Sequence, residues 1–206
     1  MRKIPESTVR RLALYLRYLE ESSAGGQVTI SSAELARRGG TTSAQVRKDL
    51  SFFGSFGKRG LGYPVAALTG RLREILGLKS PHRVILIGAG KVGAALMHYP
   101  GFAERGFSVA AIYDRDPRKI GSRWNGLLIR DVRHLERDLR REPTDIAIVV
   151  IPATAAQQVA ERLVSAGVKA ILNFAPVQLV LPDSVAVRNV NMALELETLS
   201  YDLTVR

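Results

Sequence analysis

A glycine-rich loop between an apolar strand and a helix limits most strongly what this chain can fold into. The loop, GAGKVG at Gly88–Gly93, follows the run RVILI and precedes the helical run AALMHY. Three later runs, FSVAAIYD, TDIAIVVI and VKAILNF, are apolar through their centres, which is typical of strands covered on both faces. This alternation of strands and helices predicts a Rossmann-type parallel α/β sheet over residues 80–190.

The same loop has the G-x-G-x-x-G spacing of dinucleotide-binding proteins. Gly88 permits a tight turn, Gly90 lets a pyrophosphate approach the backbone, and Gly93 lets the helix pack on the strand. Asp114 ends the next strand about 20 residues later, where an acid accepts hydrogen bonds from the adenosine ribose and repels a 2′-phosphate. The two arginines that follow, at 115 and 118, argue for NADP, but we expect them to face solvent. The loop therefore predicts NAD, with coenzyme A, another adenine nucleotide, or no ligand as alternatives.

The sequence offers little for catalysis. A dehydrogenase needs an acid/base group beside the nicotinamide. His82 begins a strand, His134 lies in a charged run, and His98 has no evident partner. The sequence contains no Tyr-x-x-x-Lys pair, no cluster of metal ligands and no cysteine. We therefore predict no catalytic residue and no metal site, with a small NAD-dependent oxidoreductase as the alternative.

Charge is distributed unevenly along the chain, whose net charge is +11. The first 79 residues contain 14 Lys and Arg against 6 Asp and Glu, and the remaining residues contain 16 against 13. Such an excess indicates a polyanionic partner for the first part of the chain, with a solvated basic surface as the alternative.

The sequence pattern of residues 1–79 predicts four helices. The first has Ser7 as its N-cap and carries an apolar stripe of Val9, Leu12, Leu16 and Leu19. Two short helices begin at Ser-x-x-Glu and Thr-x-x-Gln capping boxes, with the N-caps Ser31 and Thr42. The run GKRGLG then predicts a tight turn or hairpin before a fourth helix over Val65–Leu76.

Two short helices followed by a basic glycine-rich hairpin predict a winged helix-turn-helix domain. The helix from Thr42 would enter the major groove of double-stranded DNA, burying Val46, Leu50 and Phe53, and the wing would enter a narrow A·T-rich minor groove. The predicted DNA contacts are Gln45, Arg47, Lys48, Ser51, Lys58, Arg59 and Gly60, of which the first three are expected to be exposed on the helix. A protein-interaction module with a basic face is the alternative.

Membrane insertion and secretion are not indicated. No run approaches about 18 apolar residues, and charges interrupt what would be the apolar core of a signal peptide. We expect a cytoplasmic protein without a membrane partner.

Several strings together resemble the Rex family of redox-sensing transcriptional repressors. They are VRKDLSFFGSFGKRGLGY, LIGAGKVGAAL, YPGF, YDRDPRKIG and GVKAILNFAPVQL, and the similarity runs from IPESTVRRL almost to the C-terminus. The resemblance implies a cytoplasmic bacterial homodimer that binds palindromic operator DNA. It also implies that NADH releases the protein from DNA, that NAD⁺ competes with NADH, and that a C-terminal helix within 191–206 swaps onto the partner subunit.

The resemblance also implies roles for individual residues. The predicted nucleotide contacts are Gly88, Ala89, Gly90, Lys91, Val92, Gly93, Tyr99, Asp114, Ile151, Pro152, Asn173, Phe174 and Ala175. A switch is expected from Arg17, Tyr99 and Asn191, where Asn191 departs from the aspartate of many relatives and removes the ion pair. The segments expected around the nicotinamide, VVIPAT and NFAPV, carry no charge, which favours the neutral NADH over NAD⁺.

Overall fold

The computed structural model describes residues 4–54, 56–57 and 61–205. The chain divides into two compact units, Met1–Ser80 and Pro81–Arg206. Within the described ranges, no helix is long and apolar enough to cross a membrane.

The first unit is a helical domain with a two-stranded sheet. Its elements are α1 (Glu6–Ala24), β1 (Thr29–Ile30), α2 (Ser32–Arg38), α3 (Ser43–Ser51), β2 (Tyr63–Pro64) and α4 (Val65–Ile75). The strands pair antiparallel, with Thr29 opposite Pro64 and Ile30 opposite Tyr63. The helices enclose a core that includes Leu12, Leu16, Leu19, Leu35, Val46, Leu50, Leu68 and Leu72, and Phe53 is only half-buried against it.

The starts of α2 and α3 follow from their capping residues. The Ser31 hydroxyl accepts the Glu34 N–H at 3.0 Å, and the Thr42 hydroxyl accepts the Gln45 N–H at 3.1 Å. Each bond satisfies a backbone donor that the first helical turn leaves unpaired. Both predicted N-caps are confirmed, and they fix where the helix-turn-helix begins and turns.

The start of α1 was predicted wrongly. The N-cap is Pro5 rather than Ser7, because the fixed φ of proline, here −59°, suits the residue that enters a helix. The buried stripe also differs. Val9 is 39% exposed, whereas Thr8 and Tyr15 are buried. These two polar groups tolerate burial because both donate hydrogen bonds to Asp49.

The second unit contains a seven-stranded sheet within the described residues, in the order β5-β6-β4-β3-β7-β8-β9. Its strands are β3 (His82–Ile87), β4 (Phe107–Asp114), β5 (Arg123–Trp124), β6 (Leu127–Asp131), β7 (Ile146–Val149), β8 (Ala170–Asn173) and β9 (Ala186–Asn189). All neighbours are parallel except β5 and β6, which form an antiparallel edge. The four predicted strands are present, and β5, β6 and β9 were not predicted.

Helices pack on both faces of this sheet. The helices of the second unit are α5 (Lys91–Met97), α6 (Gly101–Glu104), α7 (Leu135–Arg141), α8 (Ala153–Ser165) and α9 (Met192–Thr204), with a short 3₁₀ turn at Val132–His134. Side chains of α7 and α8 pack in one core cluster, and Leu96 and Phe102 pack in the cluster on the other face. The sheet is therefore doubly wound, a fold that binds ligands at the carboxyl ends of its strands.

The last helix, α9, has no buried residue. Six of its large apolar side chains are more than half exposed, namely Met192, Leu194, Leu196, Leu199, Tyr201 and Leu203. Apolar surface of this kind marks an interaction surface.

Candidate functional site

A cavity of about 360 Å³ opens at the carboxyl ends of β3, β4 and β7. This is where a doubly wound sheet binds nucleotides. The cavity brings together five of the residues predicted to contact the nucleotide, which are Gly88, Gly90, Asp114, Ile151 and Pro152.

The glycines of the loop differ in the space around them. Gly88 has a φ of +108°, and a Cβ there would lie 2.5 Å from the Val150 carbonyl oxygen. A Cβ at Gly93 would lie 2.2 Å from the Gly88 carbonyl oxygen. A Cβ at Gly90 would meet no described atom within 4 Å. Gly88 and Gly93 are therefore required by packing, whereas Gly90 leaves backbone open toward the space that a ligand would occupy.

The Asp114 carboxylate closes the loop against the end of β4. Its Oδ2 accepts the Ala89 N–H at 2.7 Å, and its Oδ1 accepts the Asp116 N–H at 2.8 Å. Burial alone would raise the pKa of Asp114, but the hydrogen bonds from Asp116 and Ala89 and the charge of Lys119 outweigh it and lower the pKa. The group is therefore an ionised acceptor, the kind of group to which a ribose hydroxyl can donate.

The two arginines near Asp114 behave differently. Arg118 binds Asp116 with a side chain that is 88% exposed, so it faces solvent as predicted. Arg115 is exposed but also lines the cavity, as does Lys119, whose Nζ lies 3.5 Å from Asp114 Oδ2. This end of the cavity thus contains the carboxylates of Asp114 and Asp116 together with the cations of Arg115 and Lys119.

Other predicted nucleotide contacts are not among the residues that line this cavity. Ala89 is buried within the loop, and Lys91 and Val92 are exposed on α5. Tyr99 lines a second cavity of about 490 Å³ and packs edge-on against Phe102 with the ring centroids 5.2 Å apart. Contacts between these residues and a nucleotide stay predictions.

Asn173 shapes the loop that follows β8. It is fully buried, and its Nδ2 donates to Val177 O and Asn189 Oδ1, both at 2.9 Å. Its Oδ1 accepts the Ala175 N–H at 3.0 Å. Because protein groups occupy the amide, Asn173 is suited to holding Phe174 and Ala175 in place rather than to binding a ligand itself.

The predicted DNA-binding helix α3 exposes most of the residues assigned to it. Arg47, Lys48 and Ser51 are exposed, and Arg47 Nη1 donates to the Ser32 hydroxyl on α2 at 3.1 Å. The expectation that Gln45 is exposed was wrong. It is half-buried, because its Nε2 donates to Asp49 Oδ1 at 2.8 Å. Lys58, Arg59 and Gly60 of the predicted wing lie outside the described residues.

The residue that the sequence reasoning missed is Asp49. Its carboxylate is fully buried and accepts hydrogen bonds from Arg11 at 2.6 and 2.8 Å, from the Tyr15 hydroxyl at 3.0 Å and from the Thr8 hydroxyl at 3.3 Å. Burial would raise the pKa of Asp49, but the hydrogen bonds from Arg11, Gln45 and Tyr15 outweigh it and lower the pKa. A signal was available, since Asp49 lies on the same helical face as Val46 and next to Leu50.

The three predicted switch residues have local partners. Arg17 binds Glu21 on the same helix at 3.2 Å. Asn191 is the N-cap of α9, because its Oδ1 accepts the N–H groups of Ala193 at 3.1 Å and Leu194 at 3.3 Å. The cap uses only Oδ1, so Nδ2 is still available as a donor. A switch formed by Arg17, Tyr99 and Asn191 stays a prediction.

Comparisons with known proteins match both units. A model described as "CoA binding domain" matches residues 79–177, and one described as "Putative DNA-binding protein N-terminus" matches residues 3–51. The redox-sensing transcriptional repressor Rex of Carboxydothermus hydrogenoformans is 47% identical over 201 residues, covering 98% of this chain and 97% of that protein. The chain belongs to the Rex family.

Solved Rex structures share the fold. RSP, a Rex-family repressor in complex with β-NAD⁺ and operator DNA, has a TM-score of 0.93 at 41% identity, covering 98% of this chain and 94% of that one. RSP in complex with β-NADH has a TM-score of 0.89 at 40% identity, covering 98% and 95%. The predicted fold class is thereby confirmed, a winged helix-turn-helix domain followed by a Rossmann-type domain. Swapping of the C-terminal helix stays a prediction.

The Rex relatives are named as repressors, which are regulators rather than enzymes.

Proposed function

We propose that this chain is a transcriptional repressor that binds operator DNA through its first unit and NADH or NAD⁺ through its second, and that NADH releases it from DNA. One observation carries the proposal. The same chain carries two sites. One is the cavity at the strand ends, where Gly90 leaves open space and the Asp114 carboxylate is ionised. The other is a helix-turn-helix whose second helix exposes Arg47 and Lys48.

The site residues divide between the two ligands. Arg47, Lys48 and Ser51 on α3, with Gln45 beside them and Lys58, Arg59 and Gly60 on the wing, contact the operator. The loop Gly88–Gly93 holds the pyrophosphate, and Asp114 accepts hydrogen bonds from the ribose. Ile151 and Pro152 form an apolar wall of the site. Because the segments VVIPAT and NFAPV and the amide of Asn191 carry no charge, the neutral nicotinamide of NADH is preferred over the cation of NAD⁺.

Two copies of the chain form the active repressor. The apolar side chains that α9 exposes favour burial against a second copy, and a palindromic operator requires a two-fold symmetric protein. In this proposal residues 1–79 bind DNA, 80–190 bind nucleotide, and 191–206 supply a helix that swaps onto the partner. The protein acts in the cytoplasm, where bacterial DNA lies.

The cavity does not suit an oxidoreductase. None of the histidines is among the residues that line it, Asp114 is engaged by backbone N–H groups, and Asp116 is paired with Arg118. A positioned acid/base group near the nicotinamide is what hydride transfer to a carbonyl would need. In this proposal the second unit acts as a sensor.

Coenzyme A is the second candidate ligand, because the family model over residues 79–177 is described as a CoA binding domain. Coenzyme A also contains an adenosine diphosphate, but it has a 3′-phosphate on the ribose. Asp114 accepts hydrogen bonds from hydroxyl groups and repels phosphate, so the dinucleotide is the better match.

A titration of operator-like DNA tests the proposal. Affinity is measured with NADH, with NAD⁺, with coenzyme A and with no nucleotide, at several salt concentrations. We expect sequence-specific binding with a steep salt dependence, because each neutralised phosphate releases counterions. NADH should weaken this binding, NAD⁺ should restore it by competition, and coenzyme A should have no effect. The proposal is contradicted if the protein binds no duplex specifically, or if its affinity for DNA does not change when NADH is added.

A further inference from the structure

The buried carboxylate of Asp49 lies one helical turn beyond Gln45 on α3, and it binds the Gln45 side chain directly. Gln45 Nε2 donates to Asp49 Oδ1 at 2.8 Å. Arg11 on α1 holds both oxygens of the same carboxylate, through Nε at 2.6 Å and Nη2 at 2.8 Å. The Gln45 amide is therefore connected through Asp49 to a second helix.

The chemistry of the two groups decides which end of the amide faces Asp49. An ionised carboxylate has no hydrogen to donate, and the Arg11 ion pair keeps Asp49 ionised. Only the NH₂ end of the glutamine can therefore turn toward it. The Oε1 atom is left on the other side, and no residue in the described part of the chain donates to it.

Gln45 also stands where a recognition helix reads bases. Thr42 is the N-cap of α3, so Gln45 lies in its first turn, and the N-terminal residues of such a helix contact base edges in the major groove. With one amide hydrogen bound to Asp49, the side chain still presents Oε1 and the second hydrogen. An acceptor and a donor side by side match N6 and N7 of adenine.

We propose that Asp49 is a positioning residue for DNA recognition, which fixes the orientation of the Gln45 amide so that Gln45 selects adenine at one position of each operator half-site. The proposal rests on the proposed function, because it concerns the specificity of DNA binding. It adds a residue that does not itself touch DNA but determines what its neighbour on the helix presents.

The experiment compares base preference in matched variants. Duplexes selected by the unaltered protein from a randomised palindromic library give the preferred sequence. The position whose preference is lost in Gln45→Ala is then tested with each of the four base pairs. We expect the unaltered protein to favour adenine there by about tenfold, the magnitude of one good bidentate contact.

Asp49→Asn is the decisive variant, because an asparagine can donate as well as accept and lets the Gln45 amide rotate. The preference at that one position should fall to near equality, while the other positions keep theirs. In the double variant with Gln45→Ala, Asp49→Asn should change that preference no further. Tyr15→Phe is the control, because it removes another hydrogen bond to Asp49 without touching Gln45, and it should keep the adenine preference.

The outcomes separate the two proposals. If the unaltered protein selects no sequence, the proposed function fails and this inference fails with it. If the unaltered protein selects a sequence and folded Asp49→Asn keeps the full preference, only the inference is overturned. It is also overturned if Tyr15→Phe abolishes the preference as strongly as Asp49→Asn, since the effect would then be one of packing.

A measurement on the unaltered protein covers the case in which Asp49→Asn does not fold. The side-chain amide resonances of Gln45 are identified by their loss in Gln45→Ala. We expect one hydrogen to be protected from exchange with solvent relative to the other. A pair of resonances that exchange like those of an exposed glutamine overturns the proposal.

Discussion

The Arg11 guanidinium binds both oxygens of the Asp49 carboxylate, at 2.6 and 2.8 Å, and so joins α1 to α3, the helix proposed to recognise DNA. The carboxylate is fully buried and the arginine side chain is 25% exposed. A buried ion pair adds little net stability compared with an apolar pair, but removing one partner leaves the other charge buried alone. The stability of the first unit should therefore fall when either Arg11 or Asp49 is replaced.

Arg11→Met should destabilise the first unit strongly, because the uncompensated Asp49 carboxylate remains in the core. We expect the free energy of unfolding to fall by about 3 kcal/mol, measured by urea denaturation. Arg10→Met is the matched control. Arg10 pairs with Glu6 on the exposed face of the same helix, where such pairs contribute about 0.5 kcal/mol or less. Equal losses in the two variants would contradict this assignment.

The stability that Asp49 contributes should depend on pH in one direction. The pKa of Asp49 is lowered in the folded state, so the folded protein favours the ionised form more than the unfolded chain does. The contribution is therefore fully present above the ordinary carboxyl pKa of about 4 and is lost as the pH falls below it. The difference in unfolding free energy between the unaltered protein and Asp49→Asn should shrink over that range. A difference that stays constant from neutral pH into strong acid would show that the group is not titrating as described.

Gly90→Val should abolish nucleotide binding and leave the fold and DNA binding intact. The new side chain would extend from a position with no described atom within 4 Å, into the space where the pyrophosphate approaches. NADH affinity and NADH-driven release from operator DNA are the two measurements. Gly93→Ala is the contrast, because its Cβ would lie 2.2 Å from the Gly88 carbonyl oxygen and should instead destabilise the second unit. A normal NADH response in Gly90→Val would remove the basis for the loop assignment.

Arg47→Ala should weaken DNA binding without changing NADH affinity, because Arg47 is exposed on α3. If it contacts a phosphate, the slope of log affinity against log salt should fall by about one, and if it contacts a base, about 1–3 kcal/mol and some specificity should be lost. Arg71→Ala serves as the control, since Arg71 belongs to α4 and is paired with Glu74. The same comparison applies to Arg59→Ala. Operator affinity equal to that of the unaltered protein in both Arg47→Ala and Arg59→Ala would exclude this docking.

Asn191→Asp should keep α9 capped and strengthen the coupling between nucleotide and DNA. Aspartate caps helices as well as asparagine does, and it adds a negative charge that can form an ion pair in the predicted switch. Affinities for NADH and NAD⁺ and the extent of operator release are measured in the unaltered protein and in the variant. Asn191→Ala, which loses the cap at a cost of about 1 kcal/mol, separates helix stability from coupling. Identical release curves for the unaltered protein and Asn191→Asp would leave Asn191 as a cap alone.

Features with a short-range cause were predictable from the sequence. Each helix cap follows from a side chain that accepts a backbone N–H three residues later, at Ser31 and at Thr42. Each of two central strands follows from an unbroken apolar run, at His82–Ile87 and at Ile146–Val149. The close packing at Gly88 and Gly93 follows from the motif in the same way.

Features that depend on distant partners were not predictable. The helical face of Asp49 indicates burial, but its partners Arg11 and Tyr15 lie 38 and 34 residues earlier in the chain, so the pattern of α3 alone does not identify them. The strand β9 lies at the edge of the sheet and is largely exposed, so it lacks the apolar pattern that marked the central strands. The hydrogen bond between the Asn173 amide and Asn189, 16 residues later, likewise does not follow from the local sequence.

The exposed apolar side chains of α9 have a consequence for the living cell. Surface of this kind is unfavourable in water until another copy covers it, and pairing of two chains follows mass action. In the proposed dimer, the amount of paired chain then depends on how many copies a cell makes, and operator occupancy depends on this amount as well as on the nucleotide pool. Expression level thus becomes a second input to the same regulator, and halving gene dosage would lower operator occupancy at an unchanged NADH level.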